Sequence, residues 1–114
     1  MIHLYSLIKQ LRKLTDKEGN ALIDKEKEKE KRKKSKEIME ATRKLMREHG
    51  DTGDVGAQLR GIYSCAGDMI GQANEPLWGH AFNYERASFL VKTMEEHIQM
   101  IGYILKIEFK EVES

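Results

Sequence analysis

"YERASFLVKTMEEHIQMIGYIL", Tyr84 to Leu105, is the stretch that decides the fold. Its residues Tyr84, Ala87, Val91, Met94, Ile98, Ile101 and Leu105 are separated by 3, 4, 3, 4, 3 and 4 positions. That alternation keeps them on one side of an α-helix. It is the a/d pattern of a helix packing lengthwise on another, as in a coiled coil. Phe89, Leu90 and Ile104 widen the stripe, which suits a bundle core better than a two-stranded zipper. A helix starting near Asn83 is predicted, with its stripe at a central core or a subunit interface. The following "LKIEFKEV" alternates with period two, reading as a short strand or a frayed helix end. A strand there needs a partner chain, because one strand cannot stand alone.

Upstream, Val55 to Ala73 repeats apolar residues at helical spacing through Leu59, Ile62, Tyr63, Ala66, Met69 and Ile70. Ser64, Gly67 and Gly71 form a small-residue strip on this helix. The strip predicts the close approach of another helix, with a backbone open to a ligand as the alternative. Gly50 is a predicted helix stop, and Asp54 an N-cap for the segment after it. "QANEPLWGH" reads as a loop, since Pro76 disfavours helix at Glu75.

The first fifty residues read as two helices. In Ile2–Leu14 the residues Leu4, Leu7, Ile8, Leu11 and Leu14 share a face. This helix either stops near Thr15 or bends near Gly19. From Asp24 to Lys36 the chain reads "DKEKEKEKRKKSK", without an apolar residue. Lys and Glu are good helix formers, and pairs such as Glu28–Arg32 and Glu30–Lys34 each add about 0.2–0.5 kcal/mol on a helix. Ala21 to Glu48 is therefore predicted as one long helix whose middle projects into water, regaining a stripe at Ile38, Ala41, Thr42, Leu45 and Met46.

At 114 residues the chain makes one domain. Its net charge of +1 hides an asymmetry: Met1–Gly50 carries fifteen Lys/Arg against nine Asp/Glu, and Asp51–Ser114 five against ten. Such a layout steers a polyanion to one end, lets the two halves dock on each other, lets copies pair head to tail, or simply reflects exposed helices of different sign. A single cysteine, Cys65, excludes an internal disulfide. With no signal-like N-terminus, a cytoplasmic location is expected. No apolar run reaches the roughly 18–20 residues a membrane span requires.

Candidate chemistry is sparse. There is no phosphate-binding glycine loop, no paired CxxC and no HExxH. Glu95, Glu96 and His97 are consecutive and point in different directions, so His97 reads as a boundary histidine rather than a metal ligand, and neither metal nor cofactor is expected. Cys65 has only Arg60 nearby as a cation and reads as packing material. Two segments remain. Trp78, His80, Phe82, Tyr84 and Arg86 cluster near a helix start, where aromatics and free amides can hold a nucleotide or simply cap the core. Lys31, Arg32, Lys33, Lys34 and Lys36 can neutralise phosphates of a nucleic acid, or form a solvated face.

The expected fold is all-α. It has three to four helices: a long N-terminal charged helix or hairpin (1–50, basic), then a C-terminal antiparallel pair (51–114, acidic), with a short strand possible at the end. The expected function is a non-enzymatic interaction protein, homo-oligomeric with a dimer favoured, that binds a macromolecular partner through exposed helices. The alternatives are a nucleic-acid binder through Lys31–Lys36 and a nucleotide binder through Trp78–Arg86.

Overall fold

The fold rests on four helices in a computed structural model that describes residues 1–15, 25–50, 52–73 and 84–109. They are α1 (Ile2–Thr15), α2 (Lys25–His49), α3 (Gly53–Ala73) and α4 (Tyr84–Leu105). The chain is all-α, and no strand occurs among the described residues. Each helix turns an apolar stripe inward. Leu4, Leu7, Ile8 and Leu11 of α1, Ile38 of α2, Leu59, Ile62, Ala66 and Met69 of α3, and Ala87, Val91, Met94, Ile98 and Ile101 of α4 form one buried core. The helices neighbour one another in a ring: α1 touches α2 and α4, and α3 touches α2 and α4. The α4 stripe read from the 3-4 spacing is thus the central core of a single chain. Leu105 packs at its edge, and the Tyr84 side chain lies outside the described residues.

Antiparallel order follows from the contacts. On α1, Tyr5 stacks on Phe109 while Arg12 bonds to Ser88, so α1 and α4 run oppositely. The turn between α2 and α3 is built by Gly50 and Gly53, both at φ 86°. This left-handed region is open to glycine at little steric cost, which is why the chain reverses there. Helix α3 begins at Gly53, so Asp54 sits inside the first turn rather than capping it, and its charge faces the positive end of the helix dipole. Arg12 and Lys13 complement the opposite pole of α1. That helix ends at Thr15, whose hydroxyl donates back to the Arg12 carbonyl at 3.0 Å. The bend considered at Gly19 and the stretch Ala21–Asp24 lie outside the described residues.

Three expectations are corrected. The charged middle of α2 does not project into water on all sides: Lys31 is 1% exposed and Ser35 fully buried, in line with Ile38 and Thr42. A helix lying against two neighbours turns one side to them whatever residues stand there, and i, i+4, i+7 geometry selects these positions. The tail forms no strand over its described residues, which end at Phe109. Lys106 adopts φ 58°, and the Ile107 amide donates to the Gly102 carbonyl at 2.8 Å. That is a Schellman ending, which folds Phe109 back over Gly102 and onto Tyr5. Finally, the Gly67–Gly71 strip meets no helix among the described residues, since a Cβ added at either position has none of them within 4 Å. The close approach occurs at Gly61, where an added Cβ would lie 2.5 Å from Nε2 of His97.

Candidate interaction surface

The side of α4 away from the core carries a second regular line of residues. Phe89, Thr93, Glu96, Met100 and Tyr103 are spaced 4, 3, 4 and 3 apart, so they too share one face. Phe89 is 58% exposed, Met100 47% and Tyr103 84%. Phe89 therefore does not widen the core stripe, as the sequence suggests; Leu90, one position on, is buried. Apart from Ile2 at the start of α1, the large apolar side chains exposed among the described residues all lie on this one outward helix face. Such patches mark binding surfaces.

Beside this line runs an open groove of about 670 Å³ between α1 and α4, lined by Lys9, Lys92, Glu96, Gln99, Met100 and Tyr103 among others. Its floor is held by a charge cluster. Glu95 accepts from Arg12 through Nε at 3.1 Å and from Lys9 at 3.3 Å, while Arg12 also donates to the Ser88 hydroxyl at 3.0 Å. These half-buried charge-assisted bonds tie the basic half of the chain to the acidic half. Lys9 also lies 5.5 Å from the centre of the Tyr5 ring. By contrast, no ion pair engages Lys92 or Glu96 among the described residues. The groove wall thus offers one cation and one anion to whatever docks there.

The other predicted positions are dispersed. Lys31 is buried, and Arg32 and Lys34 are half-buried. Lys34 pairs with Glu37 at 3.4 Å. Lys33 and Lys36 remain on the exposed side of α2, where Lys29, Arg43, Lys44 and Arg47 join them. Of these, Arg43 bonds to the Tyr63 hydroxyl at 2.7 Å and lies over its ring. Trp78, His80 and Phe82 lie outside the described residues, as does the Tyr84 side chain; Arg86 is exposed on α4. His97 is a boundary residue, with Nδ1 2.6 Å from the Gln58 amide oxygen. Cys65 is a buried free thiol. Burial raises its pKa, the Asp68 carboxylate adds to the rise, and Arg86 opposes it. No group of three or more His, Cys, Asp or Glu is arranged to hold a metal among the described residues, and no described helix is long and apolar enough to cross a membrane.

The outward line on α4 was readable in principle, since its 4-3-4-3 spacing stands in the sequence as plainly as that of the core. What hid it was the polar content at Thr93 and Glu96 and the stronger stripe on the opposite side. The chain matches no protein-family model, no curated protein and no solved structure.

Proposed function

We propose that this protein is a non-enzymatic helical interaction module that binds a macromolecular partner through the outward face of α4. The observation that carries this reading is the alignment of Phe89, Met100 and Tyr103 on one exposed helix face beside an open groove. Exposing three such side chains is unfavourable by about 25 cal/mol per Å² of apolar surface unless something covers them. A partner laid along α4 recovers that energy. The groove is open rather than enclosed, which suits a macromolecular surface laid across it better than a buried small molecule.

The test is site-specific photo-crosslinking in the native host. A photoreactive residue at Tyr103 is expected to give a discrete adduct, while the same residue at Lys44 on α2 gives none of that mass. Equal labelling from both positions, or no adduct from Tyr103, overturns the reading.

A second reading rests on a separate observation. Lys29, Lys33, Lys36, Arg43, Lys44 and Arg47 are all exposed on α2, interrupted by Glu30, Glu40 and Glu48. A basic helix side of this kind attracts phosphates. Nucleic-acid binding through it weakens steeply as salt rises and falls when Lys33 and Lys36 become Glu. Binding that ignores salt removes this second reading.

A further inference from the structure

We propose that the partner covering α4 is a second copy of this chain, its α4 running antiparallel to the first in one fixed register about a two-fold axis. The inference rests on the reading of α4 as a binding face and adds to it the identity of the occupant. It is argued from the order of residues along the outward line: Arg86, Phe89, Thr93, Glu96, Met100 and Tyr103, at intervals of 3, 4, 3, 4 and 3. The line spans about 26 Å at 1.5 Å per residue. In an antiparallel helix pair an a position packs against a d position of the other helix. Placing the axis between Thr93 and Glu96 satisfies this for all six residues at once.

The layers that result are complementary in chemistry. Phe89 meets the partner's Met100, a sulfur–aromatic contact between two exposed apolar groups. Tyr103 stands at the level of the partner's Arg86, both of them exposed. Thr93 faces the partner's Glu96. Thr93 is short, and its hydroxyl already donates to the Phe89 carbonyl at 2.9 Å, so the longer Glu stem has room above it. The carboxylate of the partner's Glu96 then lies beside Lys92, which flanks the line. Two-fold symmetry repeats every contact, so each surface is its own complement.

Competing arrangements fail on charge. A parallel pair sets Glu96 against the partner's Glu96, and so does an antiparallel pair centred on that residue. Two carboxylates at van der Waals distance repel strongly once water is displaced. The antiparallel register with its axis between Thr93 and Glu96 is the one that brings Glu96 to a cation while covering Phe89, Met100 and Tyr103.

Sedimentation equilibrium of the full chain tests the proposal. A monomer–dimer equilibrium is expected. The Met100→Glu, Tyr103→Glu double variant, altered only at exposed positions, is expected to stay monomeric over the same concentrations while keeping the parent's helical circular dichroism spectrum. Lys92→Glu and Glu96→Lys alone should each weaken the dimer at least about tenfold, and the two swaps combined should restore it. Register is read separately in a Cys65→Ala background. A Phe89→Cys protein mixed with a Met100→Cys protein should form the mixed disulfide faster than either links to itself. A chain monomeric at every concentration overturns the second-copy proposal, as does a dimer indifferent to Met100→Glu, Tyr103→Glu, or self-links outpacing the mixed one. None of these results touches the crosslinking test, in which a foreign macromolecule captured at Tyr103 still upholds α4 as the binding face.

Discussion

His97 lies directly over Gly61, with ring atoms 2.5–2.9 Å from where a Cβ at that position would stand. The absent side chain is the notch that seats the imidazole, and Gln58, one helical turn earlier, holds it through Nδ1 at 2.6 Å. The α3–α4 spacing at this level is therefore set by a glycine in a helix interior, where it costs about 1 kcal/mol relative to alanine.

The first prediction follows from that trade. Gly61→Ala gains helix propensity but drives a methyl into a packed ring, and is expected to destabilise the protein by about 1–3 kcal/mol. In a His97→Ala background the obstacle is gone, and the same substitution should stabilise by about 1 kcal/mol. Urea unfolding of the four proteins reads the sign reversal. If Gly61→Ala costs the same in both backgrounds, His97 is not what the glycine accommodates.

Ile98 is fully buried at the middle of α4. Ile98→Asp places an unpaired carboxylate in the core, at a cost of about 4 kcal/mol or more, a large share of the roughly 5–15 kcal/mol that holds a domain folded. A far-ultraviolet melt checks this, and a cooperative transition within a few degrees of the parent contradicts the packing described.

The Cys65 thiol is pushed up by burial, with Asp68 reinforcing the rise. Two results are expected. Alkylation by a thiol reagent at pH 7 should be slow in the native protein and fast in urea. The sign for stability is that of a group holding its proton more tightly when folded. Its contribution is complete below the unfolded thiol value of about 8.5 and is lost as pH rises through the higher folded value. Cys65→Ala should therefore flatten the alkaline decline in stability. An unchanged decline assigns it elsewhere.

Lys106 carries a side chain at φ 58°, where glycine belongs. Lys106→Gly is expected to stabilise the Schellman ending by about 0.5–1 kcal/mol, measured by thermal denaturation. A loss of stability would mean that the Lys106 side chain matters more to the ending than its backbone.

Ser35 buries a hydroxyl that has no hydrogen-bond partner among the described residues. Ser35→Ala removes that unmet group and improves helix propensity, so a gain of about 1 kcal/mol is expected in the same assay. A loss would show that the hydroxyl is used.

The all-α architecture was legible because four stripes repeat at helical spacing, and that of α4 runs for six unbroken intervals. What could not be read were properties of pairs of helices. Burial of Lys31 and Ser35 depends on which side α2 turns to α1 and α3, and a run of Lys and Glu has no stripe to announce it. The Gly61 notch depends on the register of α3 against α4, which brings His97 to that level, whereas the Gly67–Gly71 spacing looked like a contact and meets nothing among the described residues. Phe89 reads with Leu90 and Ile104 as a widening of the core stripe, although its helical angle follows Glu96 and Tyr103.

Tyr5 and Phe109 stack with ring centroids 4.7 Å apart. The first helix thus closes one seam, with α2, against its neighbour in sequence and the other, with α4, only across nearly the whole length of the described chain. Loop-closure entropy makes such a far-separated clasp a late event in folding. A short peptide joining these two segments, with new ends cut at the glycine turn after α2, makes that clasp local but turns the α2–α3 seam, the most extensive of the four, into the far-separated one, so such a rearranged chain should fold more slowly than the natural order.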